Sequence, residues 1–168
     1  MITSLHLSHC MNTSLRNVQY KIGDLTMHAN KEFLDLLLKT TQKGQISIRS
    51  ILDKNMNPGL QISLKKQLRE YDAIEAEAHS LAVQRGWEMH DLDPAVRFVT
   101  DRMIRLKLTG KNTDSEIAGL LIQGNTKGMI SSLKAIHYFQ TEDASLGILS
   151  RKLVDCAVAS IQQLQSFL

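Results

Sequence analysis

The chain is short of the residues that build sheets, covalent staples and membrane spans. Its 168 residues include two prolines and two cysteines, and aromatic side chains make up 5%. So little proline and aromatic content argues against a sheet protein with many turns and leaves a mainly helical chain as the expectation. Cys10 and Cys156 alone cannot build a disulfide framework or a thiolate metal cluster, which points to a reducing, cytoplasmic compartment. No apolar run approaches the roughly 20 residues of a membrane helix. The opening residues, MITSLHLSHCMNTSLRNVQYKIGDLTM, lack the basic start, apolar centre and small-residue cleavage site of a signal peptide. Charge of one sign is scarce too. A net +3 with scattered Lys and Arg argues against a nucleic-acid or acidic-membrane surface, and Lys65, Lys66 and Arg69 read as a solvated helix face.

Hydrophobic residues at 43% are enough for one globular core. Residues 1–29 show no strong period and are expected to form an irregular arm, with at most a short helix through Leu15, Val18 and Ile22; Met27 offers a second start. From residue 30 to 168 the helical period dominates. Leu34, Leu37, Leu38, Thr41, Gln45, Ile48 and Leu52 fall on one face of a first long helix that stops before Asn55-Met-Asn-Pro-Gly59. Leu64, Leu68, Tyr71, Ala78 and Ala82 line a second, closed by Gly86. Asp93-Pro94 opens a shorter third helix with Val99, Met103 and Leu106 expected inward. Thr113 and Glu116 have capping-box spacing at the start of a fourth, and Thr141-Glu-Asp143 precedes a fifth that buries Leu146, Leu149, Leu153, Ala157, Ile161 and Leu164.

The links between the first and second and between the fourth and fifth helices are a few residues long, so each pair is expected to be an antiparallel hairpin. The longer link between the hairpins carries the short third helix. The expectation is therefore an all-α, ferritin-like four-helix bundle with a short crossover helix between its second and third long helices. A five-helix up-down array is the alternative.

Gly119 to Met129, GLLIQGNTKGM, has the glycine spacing of a phosphate loop. Asn125 stands where that loop needs lysine, and a helix cap precedes it instead of a strand. At about 100° per residue, Ile117, Leu121, Gly124, Gly128, Ser131 and Ala135 share one side of the helix, a small-residue seam expected to let another backbone approach closely. The helix layout, the segment SEIAGLLIQGNTKGMISSLKAIHYF and the closing IQQLQSFL together resemble an uncharacterised bacterial ferritin-like helical-bundle family, over about residues 31–168. The resemblance implies the bundle fold and, by analogy, self-association through helix faces as a homodimer.

Ferritin-like oxidases hold two irons with a Glu from each of two helices and Glu-x-x-His from each of the others. No such pair occurs in the bundle helices. Glu75 and His79 lie on the second helix beside Tyr71, and Gln45 faces them, so one carboxylate and one imidazole can share an iron, manganese or zinc ion. The leading expectation is a noncatalytic structural or interaction protein in which Glu75, His79, Tyr71 and Gln45 form a polar core layer, a degenerate metal site. The alternative is a metal-binding protein or metal-dependent oxidoreductase centred on Glu75 and His79. A ligand-binding bundle, the third option, requires a cavity near Gly124 and Gly128. His6, His9 and Cys10 form an incidental cluster, Trp87, His90, Asp91 and Asp93 a turn region, and His137 a partly buried edge residue; Cys156 reads as inert.

Overall fold

Helix breakers and caps set the element bounds. The structure, a computed structural model, describes residues 3–110 and 113–168, with side chains from residue 25 onward. Helix α1 spans Thr3–Arg49, without a proline in its 47 residues. Residues 1–29, expected as an irregular arm, are thus helical from Thr3. A helix needs only compatible backbone, and the missing apolar period removes a packing face without removing the helix. His6, His9 and Cys10 carry side chains outside the described residues.

Helix α2, Pro58–Gln84, starts on the Asn57 side chain, which accepts from the Gly59 N–H, with proline in the first turn where no donor is required. It ends in a Schellman motif: the Trp87 N–H donates to the Ala82 carbonyl at 2.9 Å and the Gly86 N–H to that of Val83 at 3.1 Å. Gly86 takes φ +64°, a conformation that explains the glycine there. Helix α3 spans Pro94–Lys107 behind an Asp93 cap, α4 spans Asp114–Phe139 behind the complete Thr113/Glu116 capping box, and α5 spans Ala144–Leu164 behind Asp143. No strand occurs among the described residues.

Contacts at the helix ends define the path of the chain. The Asn57 N–H at the start of α2 donates to Asp114 at the start of α4, at 2.9 Å. At the other end, Thr141 after α4 donates to Asn30 of α1, and Arg85 after α2 pairs with Asp143 before α5. Helices α2 and α4 therefore run parallel to each other and antiparallel to α1, and the link containing α3 traverses the bundle lengthwise. Helix α1 packs on α2 and α4, and α5 packs on the same two from the other side. Phe33, Leu34, Leu37, Ile48, Leu60, Leu64, Ile117, Leu146 and Leu149 are fully or almost fully buried between them. Each such side chain contributes about 1.5–3 kcal/mol by leaving water.

Helix α3 departs from expectation. It buries no residue, and Val99, Met103 and Leu106, expected inward, point to solvent. Its polar side decides the orientation. The Ser50 hydroxyl donates to Asp101 at 2.6 Å, and Arg105 donates to Asp53 at 2.9 Å and also to Asp101. Those bonds dock the Asp101 side of α3 on the end of α1, with Ile104 packed against the core beside them. His137, expected at a partly buried edge, is exposed.

Candidate functional site

Two neutral amides on α1 organise the polar interior. Gln42 and Gln45, 1% and 2% exposed, are placed within the apolar stripe by their helical spacing from Leu38 and Ile48. The Gln42 amide nitrogen donates to Glu75 Oε1 at 2.8 Å and to Asp91 Oδ1 at 2.7 Å, while its oxygen accepts from the Leu92 N–H at 2.6 Å. Gln45 donates to Glu75 Oε2 at 2.6 Å and to Asp72 at 2.9 Å. Both oxygens of Glu75 are therefore oriented from α1. His79, one turn further along α2, puts Nε2 3.5 Å from Asp91 Oδ1. Arg49 pairs with Asp72, and Arg97 stands 4.0 Å from Asp91, so cations partly balance the carboxylates.

Glu75, His79 and Asp91 each offer one ligand atom within 4.8 Å of the others, at the solvent edge of this layer. Of the residues named from sequence, Glu75 and His79 fall in this group, and Gln45 holds Glu75 from α1. Tyr71 does neither. Its buried hydroxyl donates to Asn125 Oδ1 at 3.1 Å and accepts from Gln67, which also reaches Asn125 at 2.7 Å. Burial pushes the Tyr71 phenol well above its ordinary pKa, so it is a neutral donor in this second network. Gln42, Asp72 and Gln67 were missed as members. Gln42 and Gln45, three apart inside an apolar stripe, were the available signal. Asp91 carries no local signal, since only the return of the α2–α3 link onto α1 brings it to His79.

A two-iron centre does not fit these residues. Helix α1 presents amides where carboxylates are required, and the buried polar positions of α4 and α5 are Asn125, Ser132, Ser150 and Ser160. A single divalent cation fits better: one imidazole and two carboxylates form a borderline donor set suited to zinc, manganese or ferrous iron, with Gln42 and Gln45 fixing the carboxylates from behind.

The seam on α4 also differs from expectation. A Cβ added to Gly124 would meet nothing within 4 Å, and one on Gly128 would only touch Thr40 at 3.7 Å. Among the described residues no backbone approaches closely there. Instead α1 and α4 flank a cleft of about 350 Å³. Cys156 is buried on α5, and burial together with nearby Glu70 pushes its thiol up to about 12, in keeping with an inert core residue.

No protein-family model, curated protein or solved structure matches this chain. Among the described residues no helix is long and apolar enough to cross a membrane.

Proposed function

We propose that the chain is a noncatalytic, ferritin-like interaction protein whose polar layer is a reduced metal centre, and that Glu75, His79 and Asp91 hold one divalent cation at its edge. The observation that carries this reading is the convergence of those three ligand atoms within 4.8 Å, with Glu75 and Asp91 oriented by a buried amide. The lengthwise link between two antiparallel hairpins supports the ferritin-like arrangement. The test is titration with zinc, and with cobalt followed by its visible spectrum, after removal of adventitious metal. One equivalent is expected, lost in His79→Ala and in Asp91→Asn while both variants stay folded. Equal binding by the variants sinks the site, and stoichiometric redox metal with turnover of dioxygen or peroxide sinks the noncatalytic role.

Self-association belongs to the same reading. Val99, Met103 and Leu106 form an exposed apolar stripe on α3, and we assign it to a second copy of this chain. Antiparallel apposition sets the Lys107 end of one α3 beside the Asp93 end of the other, matching opposite charges and helix dipoles. Sedimentation of the native chain is expected to show a dimer that Met103→Glu converts to monomer.

A further inference from the structure

Gln42 and Gln45 face α2. Residues Thr40, Gly44 and Ser47 lie on another side of α1, at about 100° per residue, and line the cleft shared with α4, where the Tyr71 ring of α2 packs over Gly44. Beyond the Tyr71 ring, the small residues Thr40, Ser47, Gly124 and Gly128 leave the space open. Gly124 is disfavoured in a helix relative to alanine, and among the described residues no neighbouring atom stands where its Cβ would be, so packing does not explain it. The floor holds a second anomaly. Asn125 is 7% exposed, its oxygen accepts from Gln67 and Tyr71, and its buried amide nitrogen has no partner among the described residues. A buried donor left unpaired is costly unless something enters to accept from it. Apolar Leu121 and Leu153 line the cleft, while exposed Lys43, Lys107 and Lys127 enter its lining from α1, α3 and α4. None of these lysines forms an ion pair among the described residues.

We propose that this cleft binds a small anionic amphiphile: a compact apolar body against Leu121 and Leu153, a carbonyl-type acceptor on the Asn125 amide nitrogen, and a carboxylate held by the lysines. The volume matches the lower end of small-molecule sites, which combine apolar walls with a few placed polar groups. This site shares no residue with Glu75, His79 and Asp91, so it stands whether or not a cation binds there.

Isothermal titration calorimetry with three matched probes tests the assignment. 4′-Acetylbiphenyl-4-carboxylate carries the body, acceptor and anion; its 4′-ethyl counterpart lacks the acceptor, and its methyl ester lacks the charge. Saturable one-to-one binding of the first is expected, with about tenfold weaker binding for each of the others, as loss of one buried hydrogen bond or one charge-assisted contact implies. Gly124→Leu is expected to fill the cleft and abolish binding while the far-ultraviolet dichroism and melting temperature are kept or raised. Lys127→Glu, on the exposed surface, is expected to weaken the two acids and leave the ester unchanged. Absence of saturable binding, equal affinity for all three probes, or retained binding in Gly124→Leu would each overturn the proposal. Equal affinity for the acetyl and ethyl acids alone would also overturn it, by showing that water, not ligand, satisfies Asn125.

Discussion

The Tyr71 ring lies where a side chain at Gly44 would have to go: a Cβ built on Gly44 falls 2.5 Å from Tyr71 Cε2 and 2.8 Å from Cζ. Close approach between α1 and α2 is thus made at Gly44. Gly44→Ala is expected to destabilise the fold by about 1–3 kcal/mol, the usual range for overpacking, because Tyr71 cannot shift without breaking its bonds to Gln67 and Asn125. Urea unfolding with unchanged slope is the check.

Gly124 should respond in the opposite direction. Its Cβ position is open, so Gly124→Ala is expected to stabilise the helix by about 0.5–1 kcal/mol, through lower backbone entropy in the unfolded chain. A lowered melting temperature would contradict the open cleft.

Gln42 cannot be replaced by a residue of similar shape alone. In Gln42→Leu the Leu92 N–H loses its acceptor and two carboxylates lose a donor, with an expected cost of about 1–3 kcal/mol for each buried group left unpaired. Gln42→Glu is expected to be worse at neutral pH than at pH 4, since it sets a third carboxylate against Glu75 and Asp91. Melting curves at the two pH values separate these effects.

Acid stability should depend on Asp143. Burial tends to raise this carboxyl, but the Arg85 guanidinium and the N–H groups of Leu146 and Ser145 outweigh it and hold the carboxyl below its ordinary value. A carboxyl depressed in the folded state contributes stability that is full above the unfolded value of about 3.9 and disappears as pH falls through the lower folded value. Asp143→Asn is therefore expected to lower stability at pH 7 and to flatten its decline below about pH 4. An unchanged acid limb would show that the ion pair contributes nothing.

Cys156 is expected to resist alkylation. With its thiol pushed up to about 12 and its side chain buried, iodoacetamide at pH 8 should label it only after denaturation. Peptide mapping of native and unfolded protein reads this directly.

The stripe Leu34, Leu37, Leu38 and Ile48, the turn at Asn57-Pro58 and the Thr113/Glu116 box were legible because each is a local pattern with a local cause. The facing of α3 was not. An apolar stripe normally turns to the core, but Ser50 and Asp53 on another segment pair with Asp101 and Arg105 and turn it out. Small residues at Gly124 and Gly128 have the same spacing whether they admit a backbone or border a cleft; the decision rests with Thr40, Gly44 and Ser47 across the gap. Glu75 and His79 were visible as neighbours on one helix, whereas Gln42 and Asp91 join them only through helix register and the return of the link.

Leu92 sits between helices, where a backbone amide would ordinarily exchange with solvent readily by local opening. Its N–H is instead bonded to the side chain of Gln42, and that same side chain holds Glu75 on α2. The linker cannot let go without disturbing the first hairpin, so its deuterium uptake is expected to keep the pace of the hairpin. A stretch that looks like a hinge is thereby enrolled in the cooperative unit it connects.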